Sequence, residues 1–277
     1  MNVDAAEYSA KQALEGLALP KKRLADQGLF SVGSVVVGLL LWAGVSRAGL
    51  IDRVFFPAPS ETFVRLFELF AGGELWRHLR ISLSSIFVGF FLGAVPGLVL
   101  GLLMGYFPRV EAVFEPWVNA TYPLPKVALL PLLMILVGFG EPLKYTIIAV
   151  GVFYVMLINT RAGILSVDPV LVDAAKNFGA GNRHLLIEVV LPSTYPFIFA
   201  GMRLGLGMAL ILVVVAEFTA SNAGLGFMVW TSGELMKMKD IYAALIILGV
   251  LGVLLTEAVK LLQRKLMPWA RGFGEKV

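Results

Sequence analysis

Long uninterrupted apolar runs constrain this sequence more than any other feature. The first extends from Leu29 to Val45 without a charged residue, and several more follow. The 277-residue chain is 58% hydrophobic and 15% charged, whereas soluble domains carry roughly 45–50% apolar and about 25% charged residues. One globular core of this size cannot cover so much apolar surface, so we expect lipid to be the solvent.

Six runs are long enough to be membrane spans, which predicts an all-α polytopic bundle. Lipid offers no partner to backbone N–H and C=O groups, and continuous runs favour helices over the alternating strands of a barrel. Three prolines interrupt the third span, so we expect that span to be buried in the bundle. The predicted spans are 29–47, 81–106, 123–138, 143–160, 195–217 and 241–262.

The distribution of basic residues predicts cytoplasmic termini. Six spans place both termini on one side, and the cytoplasmic parts in that orientation carry twelve Lys and Arg, against seven outside. The expected organisation is a cytoplasmic N-terminal segment at 1–28, a membrane domain at 29–267 and a cytoplasmic tail at 268–277. The cytoplasmic loops would then be 107–122 and 161–194.

Two further segments have helical patterns. In the long outer loop, Phe63, Leu66, Phe67 and Phe70 form an apolar stripe, which predicts an amphipathic helix against the bundle or the membrane interface. The second span carries glycines at every fourth position, a spacing that lets another helix approach closely. We interpret this as bundle packing rather than as a direct transport role. The glycines are Gly89, Gly93, Gly97, Gly101 and Gly105.

The segment 168–192 predicts a hairpin of two short helices. Asp168 can cap the first helix with Pro169 behind it, and Gly179 suits a left-handed C-terminal position. The second helix would begin at Asn182 and stop at Pro192. The first helix would present one apolar face, made of Leu171, Ala174, Ala175 and Phe178. Small alanines and a glycine turn make such a hairpin suitable as a docking surface.

The same segment resembles the cytoplasmic signature of ABC importer permeases. The signature is present as Asp173-Ala174-Ala175, Gly179, Val189 and Leu191-Pro192, with Asp in place of the usual Glu and Val in place of Ile. The resemblance implies that a coupling helix around 179–186 inserts into a cleft of a partner ATPase. The coupling residues that it implies are Asp173, Ala174, Ala175, Phe178, Gly179, Ala180, Gly181, Asn182, Arg183, His184, Leu191 and Pro192.

Other stretches resemble the permeases for nitrate, taurine, aliphatic sulfonates and bicarbonate. They include "FFPAPSETF", "YPLPKVALLPLLMILVGFGE" and "VVAEFTASNAGLGFMV". The resemblance implies a bacterial inner-membrane importer that works by alternating access. Its implied partners are a second permease copy, ATPase subunits that hold ATP and Mg, and a periplasmic or lipid-anchored binding protein. A sulfonate such as taurine is the favoured substrate; nitrate, bicarbonate or another small nutrient are alternatives.

Four residues in or beside the spans are candidates for the substrate pathway: Lys126, Met134, Arg203 and Glu217. Ionisable groups at membrane depth usually face the interior or a water-filled path. The alternative is interfacial snorkelling or a structural ion pair. Lys126 lies near the predicted cytoplasmic start of the third span, and Glu217 near the outer end of the fifth. For Glu217, contact with a binding protein or simple exposure is favoured over a gating role.

The sequence also argues against several classes. It has no cysteine, which excludes disulfides and thiolate sites. It also has no phosphate-binding GxxxxGK[ST] loop, so we expect partners to supply ATP hydrolysis, and we expect no catalytic residue or cofactor in this chain. His78 is predicted outside and His184 in the hairpin at 168–192, so they cannot share a metal, and no basic patch suggests nucleic acid. A secondary transporter would show internal repeats, and an intramembrane enzyme would need converging polar residues; neither pattern is visible.

Overall fold

The computed structural model describes residues 24–268, with side chains from residue 30 onward. The basic residues of the predicted N-terminal segment 1–28 and those of the tail beyond 268 lie outside the described residues. The chain divides after Pro59 into two compact units. The helices are α1 (Leu24–Ala48), α2 (Pro59–Ala71), α3 (Glu74–Tyr106), α4 (Pro108–Thr121), α5 (Leu130–Val137), α6 (Glu141–Leu165), α7 (Pro169–Asn177), α8 (Asn182–Ala220), α9 (Leu225–Glu234) and α10 (Met238–Leu266).

The first unit consists of α1 and the segment that follows it. The indole Nε1 of Trp42 donates to the carbonyl of Pro57 at 3.0 Å, and the hydroxyl of Ser46 donates to the carbonyl of Phe56 at 3.0 Å. These bonds tie the proline-rich segment back to the end of α1. The Leu24–Ala48 helix includes the predicted first span.

Glycines of α3 form the closest helix contact in the second unit. A Cβ on Gly93 would lie 2.2 Å from the carbonyl oxygen of Ala149 in α6, and one on Gly101 would lie 2.7 Å from that of Leu157. The backbones therefore touch where no side chain intervenes, which confirms the predicted close packing. Contacts advance in the same direction along both helices, so α3 and α6 are parallel.

This parallel pair requires the connection between the helices to cross back. The connection consists of α4, a 3₁₀ turn at Lys126–Leu129 and α5, with an 88° bend between the two helical parts. Together α4 and α5 have the length and composition of one span. The predicted start of the third span, at residue 123, was wrong. The stretch 107–122 was expected to be a cytoplasmic loop, but most of it is helix α4, the first half of this crossing.

Helix α8 runs antiparallel to the parallel pair. A Cβ on Gly163 of α6 would lie 2.7 Å from Thr194, and one on Gly151 would lie 2.3 Å from Leu212. Helix α10 returns along α8, where a Cβ on Gly252 would lie 3.3 Å from Leu210. The beginnings of α3, α6 and α10 therefore share one end of the bundle, here called the outer end. The other end carries α7.

Helix α2 is held at the outer end by two ion pairs. The guanidinium of Arg65 donates to Asp240 at 2.5 Å, and Lys239 lies 2.9 Å from Glu61. The hydrogen bond that Arg65 donates to Asp240 raises the pKa of Arg65 above its ordinary value. The predicted stripe divides: Leu66 packs toward the core, whereas Phe63, Phe67 and Phe70 are exposed.

The predicted spans were otherwise close to the observed helices but too short: each began too late, and all but the second ended too early. The second span starts at Glu74 rather than at residue 81, because the polar first turns continue the same helix. The fourth, fifth and sixth correspond to α6, α8 and α10. Lys144, expected in an outer loop, is fully buried inside the first turn of α6.

Replacing Gly93 by valine should separate α3 from α6. The added side chain would meet the Ala149 backbone, and overpacking of this kind costs about 1–3 kcal/mol or more. We expect a clearly lower unfolding temperature for the purified protein in detergent, measured by tryptophan fluorescence. Gly207→Val is the matched control, since nothing lies within 4 Å of a Cβ there. Equal unfolding temperatures of the two variants would contradict the packing.

Candidate functional site

The end of the bundle opposite the outer end carries α7 as a short, well-capped helix. The Asp168 carboxylate accepts from the Val170 N–H at 2.9 Å, with Pro169 as first residue. After the helix, Gly179 has φ +85° and its N–H donates to the Lys176 carbonyl at 2.9 Å. The predicted cap and left-handed glycine are confirmed. Because both ends are fixed, the direction in which α7 leaves the bundle is fixed too.

One side of α7 packs on the bundle. Val172 and Ala175 pack against the buried cluster of Ile164, Leu185 and Val190, which joins the ends of α6 and α8. Ala175 was predicted on the free apolar face, but it belongs to this inner side. Helix α7 is therefore attached to two spans at once.

The other side of α7 carries exposed apolar side chains. We call the exposed side chains of Leu171, Ala174 and Phe178 the α7 surface; Phe178 is 92% exposed. Asp173 and Lys176 flank this surface as an exposed pair 4.0 Å apart, which adds little stability. A large exposed aromatic side chain next to a tight glycine turn is typical of a protein contact.

The residues after the glycine turn lead directly into α8. Ala180 is half-buried, and Gly181, Asn182, Arg183 and His184 are exposed beside the α7 surface. The hydroxyl of Tyr106, at the end of α3, lies 3.4 Å from the Asn182 carbonyl. The predicted coupling residues up to His184 thus lie at one end of the bundle.

Pro192 does not end a separate second helix, and that prediction was wrong. The helix that starts at Asn182 continues to Ala220. Its register widens to a π turn at Leu185–Val190, where the Leu191 N–H donates to the Leu186 carbonyl. The wider turn brings Pro192, which has no N–H, into the first turn of the next α-helical stretch, where proline is tolerated. Leu191 and Pro192 are half-buried.

Lys126 lies at the bend between α4 and α5, not near the start of a span as predicted. Its ammonium group donates to the carbonyls of Tyr122 at 2.7 Å, Leu124 at 3.0 Å and Thr121 at 3.2 Å. It also lies 4.3 Å from the ring centre of Tyr154, a residue near the middle of α6. The cation therefore donates to three carbonyls at the bend, one of which, that of Thr121, also accepts from the Leu124 N–H, close to the middle of the crossing.

Two further pathway candidates, Arg203 in α8 and Met134 in α5, contact other helices or the core of the bundle. The Arg203 guanidinium donates to the side-chain oxygen of Gln263, which joins α8 to α10. Met134, in α5, is half-buried and packs against the main core. Arg203 thus has a neutral hydrogen-bond partner rather than an ion pair, and Met134 packs as a core residue.

Glu217 is fully buried at the outer end, with no exposed surface, so the expectation of exposure was wrong. Both carboxylate oxygens accept from the Ser82 hydroxyl, at 2.8 and 2.9 Å, and the Gly226 N–H donates to one of them at 2.8 Å. The same serine accepts from the Leu225 N–H at 2.8 Å, and His78 Nδ1 accepts from the Gly224 N–H at 3.0 Å.

These bonds make Glu217, Ser82 and His78 a cap for α9, which we call the outer cluster. The backbone N–H groups of three successive residues at the start of α9 are satisfied by side chains from α3 and α8. A carboxylate at a helix N-terminus is also favoured by the helix dipole. The cluster therefore fixes how the chain turns back after α8.

Sequence reasoning missed Ser82, Lys144 and Tyr154. His78 and Ser82 stand one turn apart on α3, a spacing that places both on one face, and this was the available signal. Lys144 is held by Glu141 at 2.5 Å. Nothing in the sequence indicated that Tyr154 would lie over Lys126. Among residues 24–268, no group of three His, Cys, Asp or Glu could hold a metal ion.

Comparison with known proteins identifies the family. Residues 97–272 match the family described as the binding-protein-dependent transport system inner membrane component. The chain belongs to this family. It is 34% identical to the taurine transport system permease protein of Escherichia coli over 251 residues, which cover 89% of this chain and 91% of the relative. It is also 34% identical to a putative aliphatic sulfonates transport permease protein of Bacillus subtilis over 235 residues, 85% of each.

Solved importer structures share the fold of this ABC permease. A methionine ABC transporter in inward-facing conformations matches with a TM-score of 0.60 and 21% identity, over 69% of this chain and 95% of that one. An amino acid ABC transporter matches with a TM-score of 0.55 and 18% identity, over 74% of this chain and 97% of that one. The predicted fold class and the resemblance to ABC importer permeases are confirmed.

The family also fixes the general role and location. The chain is a multi-pass inner-membrane permease component of an ABC importer, and the ATPase activity of such a system lies in a partner subunit. A binding protein is the other partner that the family implies.

Removing the Glu217 carboxylate should destabilise the permease. Glu217→Ala leaves the Ser82 hydroxyl and the Gly226 N–H without their acceptor in a buried site, at about 1–3 kcal/mol per unsatisfied group. Glu217→Gln keeps one acceptor oxygen and should lose less. The check is the unfolding temperature in detergent, with Glu234→Ala, an exposed residue of α9, as control. An Ala variant as stable as the control would refute the capping role.

Proposed function

We propose that this permease carries a small sulfonate, taurine or an alkanesulfonate, across the bacterial inner membrane. The observation that supports this most directly is that two of its relatives, covered over at least 85% of their length, are named as taurine and aliphatic sulfonate permeases. Nitrate, bicarbonate or another small nutrient remains the alternative substrate class. ATP and Mg would be bound by the partner ATPase, with none in this chain.

We propose the α7 surface, with the exposed residues 179–184, as the coupling element. Leu171 and Phe178 offer apolar area to a cleft of the ATPase, and Ala174 permits close approach. The inner side of α7 holds both α6 and α8, so movement of the ATPase subunits would turn two spans together. Asp173, Arg183 and His184 would surround the apolar contact with polar groups, a common arrangement in interfaces.

The assembly that we propose has two copies of this permease, two ATPases on the α7 side and a binding protein at the outer end. The two copies would be identical. In this arrangement the α7 side is cytoplasmic, and both termini lie there, as the basic residues predict. Alternating access would follow from closure of the ATPases, which draws the two α7 helices together.

Lys126 is the cation that we propose for the sulfonate pathway. It brings a positive charge near the middle of a crossing, and its charge is balanced by backbone carbonyls and a tyrosine ring rather than by a carboxylate. Net positive charge therefore persists at that depth, which favours an anion over a neutral or cationic solute. Met134, Arg203 and Glu217 would stabilise the helices of the bundle through the contacts described above.

The substrate assignment can be tested with the complete complex in liposomes. ATPase activity is measured with the binding protein loaded in turn with taurine, an alkanesulfonate, nitrate or bicarbonate. We expect stimulation by a sulfonate-loaded form above that by the other two. Stimulation by nitrate or bicarbonate alone would replace the substrate class, and no stimulation by any of the four would move the substrate outside this anion set.

Replacing Phe178 by aspartate should disrupt coupling. A charge in the centre of the α7 surface would have to be desolvated in the ATPase cleft, and loss of a buried aromatic anchor typically costs at least 2 kcal/mol of binding. We expect at least a tenfold loss of ATPase co-purification. Phe139→Asp is the matched control, since Phe139 is a 70% exposed phenylalanine at the outer end. Equal co-purification of both variants would reject the α7 surface.

Replacing Lys126 by methionine should lower sulfonate uptake per ATP hydrolysed. The variant keeps the length of the side chain but removes the charge, so the anion loses its electrostatic stabilisation in the crossing. Lys126→Arg keeps the charge and should retain more uptake than Lys126→Met. Lys237→Met, at an exposed lysine, is the control. If Met and Arg variants lose uptake equally, Lys126 serves only to hold the bend.

A further inference from the structure

A cavity with two arginines opens at the outer end, on a face of α3 that the functional site does not use. It has a volume of about 510 Å³ and is lined by residues of α3 and of the start of α6. Arg77 and Arg80 stand three residues apart in the first turns of α3 and are exposed. Trp76 and Tyr145 line the same cavity. Tryptophan and tyrosine are enriched where a membrane protein meets the headgroup region.

The positive charges of Arg77 and Arg80 are unpaired within the described chain, although Glu74 lies three residues before Arg77 in the first turn of α3. No hydrogen bond or ion pair of the described residues involves the side chain of Arg77 or Arg80. Glu141 also lines the cavity, but its carboxylate is paired with the buried Lys144 at 2.5 Å. Helices α3 and α6 are parallel, so the positive ends of both dipoles point toward this cavity. Each begins after a glycine, Gly73 or Gly140, that provides no side-chain cap.

An apolar groove continues from the cavity along the same face of α3. Arg77, Ser84 and Phe91 are seven residues apart, two helical turns each, and so point in one direction. The groove has a volume of about 580 Å³ and is lined by Phe87, Val88, Phe91, Leu92, Val95 and Pro96. The glycines that pack on α6 lie on the opposite face. A cationic, aromatic-rimmed cavity at the interface thus leads into an apolar groove at membrane depth.

The geometry points to a binding site for an anionic phospholipid in the outer leaflet. Arg77 and Arg80 would bind the phosphate oxygens, with the hydroxyls of Ser84 and Tyr145 within the same cavity, and one acyl chain would lie in the α3 groove. A soluble sulfonate shares the oxyanion chemistry but makes no use of a groove almost three turns long. An acidic protein surface would use the arginines alone. Of these three occupants, only the anionic phospholipid fits both the arginine-lined cavity and the apolar groove.

The site can be tested by lipid retention on the purified full-length permease. Protein in detergent is incubated with phosphatidylglycerol or phosphatidylcholine, and bound lipid is counted by native mass spectrometry. We expect preferential retention of phosphatidylglycerol and, in the Arg77→Gln/Arg80→Gln variant, a loss on the order of tenfold. The control is Arg109→Gln/Lys237→Gln, which removes the same charge from exposed positions elsewhere. Equal retention by the two double variants would overturn the site.

Two further measurements separate a lipid from the other anions. Phe91→Ser leaves both arginines in place but makes the groove polar, so it should lower phosphatidylglycerol retention. Propanesulfonate at millimolar concentration should not displace the lipid; displacement, with Phe91→Ser unchanged, would assign the cavity to a soluble anion. Loss of binding-protein association in Arg77→Gln/Arg80→Gln, with lipid retention unchanged, would assign it to a protein partner. The unfolding temperature without lipid should not fall in the arginine variant, since cations in the first two turns of α3 oppose the helix dipole.

Discussion

The backbone contact between α3 and α6 determines most of this structure. Glycines at every fourth position let the two helices touch in parallel, at distances where a Cβ on Gly93 would meet a carbonyl oxygen. Two parallel neighbours cannot be joined by a short turn, so α4 and α5 must carry the chain back across the membrane. That return crossing is bent by 88°, and its free carbonyls require a donor, which Lys126 provides. The central cation is thus a consequence of the glycine packing.

The two ends of the bundle satisfy their polar groups in different ways. At the outer end, Glu217, Ser82 and His78 bury their polar atoms in a network that fixes the start of α9. At the other end, α7 is fixed by its own caps and by an apolar cluster, and it leaves Phe178 exposed. The outer cluster favours one geometry for the turn into α9, because each lost partner would leave a buried polar group unsatisfied. The exposed end leaves the apolar α7 surface available to the ATPase that we propose as its partner.

The sequence predicted those features that depend on local pattern. Apolar runs indicated the spans, the spacing of the glycines indicated close packing, and Asp168 and Gly179 indicated the ends of α7. The features that failed depend on tertiary contacts. Glu217 reads as a lone acid near a span end, and only the turn after α8 brings the N-terminus of α9 to it. Likewise, Pro192 was predicted to stop a helix, but the π turn before it lets the helix continue. A π turn is a change of hydrogen-bond register that no residue type specifies, so the sequence gives no signal for it.

That π turn has a consequence for how α8 responds to force. Between Leu185 and Val190 the helix holds one residue more than α-helical register requires. Shifting this surplus by one position along the chain would rotate the neighbouring residues by about 100° and move them by about 1.5 Å, without breaking the helix. A twist applied at the α7 end could therefore be absorbed or released at this joint, in whole-residue steps, before it reaches the middle of α8.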